Sequence, residues 1–316
     1  MSDEKFTHPT ASPYFGSVRF FKHLICISLA LLILIPTTLA ICFGIRLHRL
    51  EQSLSVELTV SETVQDEPVT PPEEEQSEEP TPAVEVPAYQ SLYPDLYAEP
   101  ADLSSDLSDK TIYLTFDDGP STSTPQLLEI LERYGVKATF FVVGQSKEEN
   151  LQRMRDIVEA GHSIGVHSYS HNYREIYASV EAYLDDFYRI YTQIKETTGV
   201  APQIFRLPGG SINGYNQLLY HEILSEMLRR GFVYFDWNLS NGDATSSKTL
   251  SAQELVSNAL AYPANMKRGI LLMHDSAEKH TTVEALPTII ERYQALGYQF
   301  AALTPEVTPI IFGYSG

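Results

Sequence analysis

From Thr111 onward the sequence predicts an α/β fold with a parallel sheet, and three observations carry that reading. Short apolar, β-branched runs alternate with amphipathic segments of helical period. Several helical segments end in glycine, the residue that most readily closes a helix in the left-handed conformation. The stretch left for the domain is about 200 residues, which suits one parallel sheet wrapped by helices. Strands are expected at 111–116 (TIYLTF), 138–143 (ATFFVV), 163–166 (SIGV), 203–207 (QIFRL), 232–236 (FVYFD), 269–274 (GILLMH) and 299–303 (QFAAL). Helices are expected at 124–135, 150–161, 180–199, 220–231 and 284–297. Seven strands in this alternation fit either an open doubly wound sheet or a closed barrel.

In a β/α barrel, functional side chains gather at the C-terminal ends of the strands. Asp117, Asp118, Gly119 and Pro120 follow the first strand. His167 and His171 follow the third, and Arg206, Pro208, Gly209 and Gly210 the fourth. Asp236 and Trp237 end the fifth strand, His274 and Asp275 the sixth. A random surface would scatter ionisable residues; here they stand at the same end of five strands. Two histidines four apart can share one face of a helical turn and reach one cation, though spacing alone leaves that open. Two imidazoles and a carboxylate would hold a divalent ion with coordination positions to spare, as in a catalytic rather than a structural site. Zinc is the default for such ligands, with Co2+ and other first-row divalent ions also fitting. A second carboxylate could take a proton from the attacking water, and a protonated imidazole could supply one to the leaving group. The stretch TFDDGP offers two adjacent carboxylates, His274 offers the acid, and Asp236 a partner to hold it as imidazolium.

The motifs TFDDGP, HSYSH, RLPGG, DW and LMHD occur in this order between residues 110 and 305. In that order they resemble the polysaccharide deacetylases with a NodB-homology domain, carbohydrate esterase family four. The resemblance implies a distorted (β/α)7 barrel and metal-dependent hydrolysis of an N-acetyl, or less often O-acetyl, group on a glycan. It implies Asp117 as general base, Asp118, His167 and His171 as metal ligands, Arg206 as the residue orienting the base, and His274 as general acid tuned by Asp236. Trp237 and Leu272 would line the pocket for the acetyl methyl, and Gly209 would offer its N–H to the oxyanion. The sequence departs from the family where its third motif usually ends in Tyr-Gly: here stand Gly209 and Gly210, without the aromatic wall. Val166 stands where Asn often precedes the first ligand histidine, and the fourth motif lacks a second acidic residue upstream of Asp236. Asp243 and Asp275 read as structural, His162 as remote from the metal, and His221 and His280 as exposed.

Charge and hydropathy organise the rest of the chain. Residues 50–109 hold 16 Asp or Glu and no Lys or Arg, whereas residues 110–316 carry 17 basic and 23 acidic side chains. The overall charge of −19 is therefore mostly that of one segment, and no basic footprint for nucleic acid is present. The only two cysteines, Cys26 and Cys42, sit in the uncharged run Leu24–Ile45, so the rest of the chain has neither disulfide nor thiolate site. That run has 22 residues, enough to cross a bilayer. We expect a cytoplasmic tail at 1–23, a single-pass anchor at 24–45, an acidic Pro-rich linker and lead-in at 46–109, and an extracytoplasmic catalytic domain at 110–316. The outward orientation follows from the absence of Lys and Arg in the linker, and Pro, Glu and like charge should keep that linker extended. The expected partners are an acetylated glycan and the membrane, with peptidoglycan N-acetylglucosamine the leading substrate and no obligate protein partner.

Overall fold

The computed structural model describes residues 86–99, 110–245, 248–262 and 266–313. The expected anchor at 24–45 and the acidic Pro-rich stretch lie outside the described residues. All seven expected strands are present: β1 (Thr111–Gly119), β2 (Thr139–Val143), β3 (Ser163–Ser168), β4 (Ile204–Phe205), β5 (Val233–Tyr234), β7 (Arg268–His274) and β8 (Gln299–Ala301). A two-residue strand, β6 (Leu239–Ser240), adds to them. The helices are α1 (Thr124–Arg133), α2 (Glu148–Glu159), α3 (Tyr173–Ile176), α4 (Val180–Thr198), α5 (Tyr220–Arg229), α6 (Ala252–Ala259) and α7 (His280–Ala295). Of these, α3 and α6 were not expected. The Ser-x-x-Glu box that caps α6, Ser251 with Glu254, was a signal in the sequence. The glycines that follow α1, α2, α4, α5 and α7 all adopt positive φ, as their helix-ending role requires.

Every strand pair is parallel, in the order β5-β4-β3-β2-β1-β7-β6. The result is a parallel half-barrel in which the end strands β5 and β6 are each paired on one side. Strand β7 lies along one edge of β1, while β8 and β2 share the other, β8 beside Thr111–Tyr113 and β2 from Thr115 onward. Period-two alternation decides which side chains face in. Ile112, Leu114 and Phe116 join the outer core under the helices. Tyr113 turns the other way, into a cluster with Phe141, Ile204, Phe235, Ile270, Leu303 and Val307. Each such burial contributes about 1.5–3 kcal/mol, so the barrel is filled and chemistry is left to its rim. Gly165 is glycine because the Phe141 ring occupies the space its Cβ would need.

Two segments outside the strand-helix alternation complete the body. The lead-in at 86–99 packs against α5, where fully buried Arg230 donates to the carbonyls of Tyr89, Leu92, Tyr93 and Leu96. The lead-in thus packs onto the folded body N-terminal to residue 110. At the other end, Leu303 and Val307 enter the barrel interior and the chain continues to the rim, where the Ile310 carbonyl accepts the Asp236 N–H.

Candidate active site

The inward face that carries Tyr113 reaches the rim at Asp117, and that of β7 at His274; the two residues are register partners on adjacent strands. Asp118 has the opposite parity, but a register shift at Asp117/Gly119 and a φ of 70° bring its carboxylate back toward the mouth. His167 ends β3. His171 follows in a turn, not a helix, with φ 51°. The turn is wound around the buried carboxylate of Asp186, which accepts from Ser168 Oγ, the Tyr169 N–H and the Ser170 N–H; Ser168 Oγ in turn accepts the His171 N–H. The spacing of four thus brings the two imidazoles together through a side-chain-clamped turn.

His167 Nε2 lies 3.4 Å and His171 Nε2 3.1 Å from Asp118 Oδ1. One ligand atom from each of the three residues lies within 4.8 Å of the others. Asp118 Oδ1 is buried, yet no donor is aligned to hydrogen-bond with it; a buried carboxylate oxygen without a donor fits a cation as its missing partner. The Arg206 carbonyl accepts from His167 Nδ1 at 2.8 Å, which leaves the Nε2 lone pair facing the site. Burial disfavours the Asp118 carboxylate, but the two imidazoles outweigh it and hold the carboxyl well below its usual range.

Arg206 is fully buried. Its Nη1 donates to Asp117 Oδ1 (2.9 Å) and Thr115 Oγ1 (2.7 Å), its Nε to the Phe235 carbonyl (2.9 Å) and its Nη2 to that of Asp236 (3.3 Å). The Phe141 ring lies beneath the guanidinium, 4.5 Å away. Asp117 therefore meets a fixed cation and keeps lone pairs for a water. Across the mouth, His274 Nδ1 bonds Asp243 Oδ1 at 2.7 Å, and Asp243 Oδ2 accepts the His274 N–H and the Thr282 hydroxyl. Burial pushes the His274 imidazole down, but Asp243, with Asp117 and Asp118, raises it above its ordinary value.

Among known proteins, a family model described as polysaccharide deacetylase matches residues 104–224. A peptidoglycan-N-acetylglucosamine deacetylase of Bacillus cereus is 32% identical over 200 residues, covering 62% of this chain and 70% of that protein. The crystal structure of the catalytic domain of peptidoglycan N-acetylglucosamine deacetylase from Eubacterium rectale is 35% identical. It covers 68% of this chain and 97% of that one, with a TM-score of 0.63. The chain belongs to the polysaccharide deacetylase family. The polysaccharide deacetylase Bc1974 from Bacillus cereus is similar at 30% identity and a TM-score of 0.57, covering 64% of this chain and 96% of that one.

Within this deacetylase domain, one expected role moves. Asp236 does not hold His274; Asp243, read from the sequence as structural, does. Asp236 accepts instead from the Ser211 N–H (2.8 Å), the Ser211 hydroxyl (2.5 Å) and the Phe312 N–H (2.8 Å), so it pins the Gly209-Gly210 loop and the C-terminal tail. The physical reason is that Asp236 lies two residues beyond β5, which sits beside β4, whereas Asp243 follows β6, the neighbour of β7. Gly209 is exposed on that loop with φ 76°, while the Gly210 N–H is taken by the Leu207 carbonyl. Trp237 is half-buried, set edge-on to Phe312 at 4.8 Å and 5.6 Å from the Arg206 guanidinium. Leu272, buried on β7, is the register partner of Thr115. Asp275 is structural, as expected: it accepts from Ser121 and Thr124 and steadies the turn after β1. His162 is buried away from the mouth, where its Nδ1 accepts the Ala138 N–H, and His221 and His280 are exposed. Tyr173 had no assigned role in the sequence. Its ring meets His171 edge-on, and burial with Asp118 and Asp117 pushes its phenol up to about 12.

Proposed function

We propose that the protein is a metal-dependent hydrolase that removes N-acetyl groups from cell-wall peptidoglycan N-acetylglucosamine, held to the outer face of the cell membrane by the 24–45 segment. The observation that carries the reading is the pairing of a base held by a buried guanidinium, Asp117 with Arg206, and an acid held by a buried carboxylate, His274 with Asp243, around the Asp118–His167–His171 cluster. The names of the similar peptidoglycan deacetylases support the substrate.

Asp118, His167 and His171 are the residues that would hold the ion, zinc by default. When bound, the ion polarises the acetyl carbonyl and stabilises the charge that develops on its oxygen. Asp117 takes a proton from the attacking water as the new C–O bond forms. Arg206 keeps that carboxylate aimed. The Gly209 N–H offers a donor to the oxyanion. His274 delivers its proton to the amide nitrogen as the C–N bond breaks, releasing acetate and a free amine. An amine leaves far less readily than an alcohol unless protonated, so the supported His274 favours amide over ester substrates.

The test is acetate release from N-acetylglucosamine oligomers and from an O-acetylated xylan, with and without a chelator. The expected result is release from the amide substrate, abolished by chelation and restored by Zn2+. Release from the ester alone, or release indifferent to chelation, overturns the reading. For the anchor, the full chain should sediment with membranes in high salt and a variant lacking 24–45 should not; a soluble full chain would end that part.

A further inference from the structure

The Gly209-Gly210 pair leaves the third motif without an aromatic side chain, yet the space over Gly209 is filled. A Cβ placed there would lie 2.8 Å from Tyr173 Cε1. Tyr173 comes from α3, a different element, and its ring stands edge-on to His171 at 5.4 Å. The wall continues outward: Tyr215 packs against Tyr173 at 5.3 Å, with its plane tilted by 58°. Tyr215 is 56% exposed, and Leu218 on the same loop is 90% exposed. Exposed apolar side chains beside the Asp118–His167–His171 cluster mark a place for ligand to lie.

The loop bearing Tyr215 is held rigid. Asn213 Oδ1 accepts the Tyr215 N–H, Asn216 Oδ1 accepts the Asn213 N–H, and buried Asn216 donates to the Ser211 carbonyl. Ser211 is itself fixed by Asp236. A tyrosine has few torsions to lose and presents a broad apolar face with a polar tip, and a preordered loop adds little cost on binding. A pyranose ring has matching chemistry: an axial C–H face for the aromatic plane and hydroxyls for the phenol.

We propose that Tyr173 and Tyr215 form a stacking platform for a second sugar ring of the glycan, beside the one that carries the acetyl group, so that the enzyme selects chains over single sugars. The proposal rests on the deacetylase reading above. Tyr173 is the inner wall and Tyr215 the outer face.

The experiment compares acetate release from N-acetylglucosamine and its tetramer by the full chain, wild type, Tyr215→Ala and Tyr215→Phe. Tyr215 is exposed, so neither variant disturbs the core. The preference for tetramer over monomer, as a ratio of kcat/KM, should fall about five- to tenfold in Tyr215→Ala through a higher tetramer KM, and Tyr215→Phe should retain it. An unaltered ratio in Tyr215→Ala overturns the platform. If the wild type releases acetate from neither sugar, the deacetylase reading falls instead. Calorimetric titration with the tetramer then decides the platform: weaker binding by Tyr215→Ala supports it, and equal binding overturns it.

Discussion

Arg206 shows how much one side chain can fix. Its guanidinium fastens Asp117, its carbonyl fastens the His167 ring, and its burial leaves neither bond open to solvent. Asp117→Asn should retain metal and lose turnover by about 10²–10⁴-fold, read as acetate release against metal content; near-normal turnover would remove Asp117 as base. The acid limb belongs to Asp243. In the proposed mechanism His274 serves as acid only while protonated, so activity should fall as pH rises through its raised value. Asp243→Asn removes the main group raising it, and the alkaline limb of kcat/KM should move to lower pH; a limb that stays in place would show that Asp243 merely orients the ring. Asp117, Asp118, His167, His171, Arg206 and His274 were readable from the sequence because each ends a strand or follows one closely. Asp243 was not, because β6 has only two residues and a pattern of period two cannot show in so short a run. Tyr173 had no signal of its own, since its position over Gly209 depends on the path of the turn around Asp186.

At the scale of elements, that turn is the clearest case of local order imposed by tertiary contact. Asp186, on α4, accepts three hydrogen bonds from the turn after β3. Asp186→Ala would leave those donors without a partner at a cost of roughly 1–3 kcal/mol for each that stays buried. We expect a lower melting temperature together with reduced metal content, because His171 loses its anchor through Ser168. Retention of full metal content would show that the ion, once bound, holds the turn by itself. The strands were legible as short apolar, β-branched runs between helical segments, because a parallel sheet covered on both faces buries nearly every residue of β1 and β7. α3 is one turn long and had no period to detect. Asp236 was misread for a related reason: its place at a strand end was visible, but which neighbouring loop that end faces is a matter of sheet order.

At the scale of the whole molecule, the body is closed by segments that lie outside the repeating pattern. Deleting 86–99 removes four carbonyl acceptors from buried Arg230. The expected loss is about 2 kcal/mol or more, a fall of roughly 5 °C in melting temperature; an unshifted melt would reduce the lead-in to a passive covering. The lead-in at 86–99 packs onto the body through the Arg230 guanidinium, a contact that the acidity of the stretch around it conceals. The segment around Phe312 has a consequence for synthesis. Phe312 gives its N–H to Asp236 and its ring to Trp237, and it is translated after every other residue described at the mouth. A nascent chain therefore emerges with its ligands and its base–acid pairs but with this side of the opening unfinished. Proteolytic removal of the segment that carries Phe312 would return a folded molecule to the same incomplete condition.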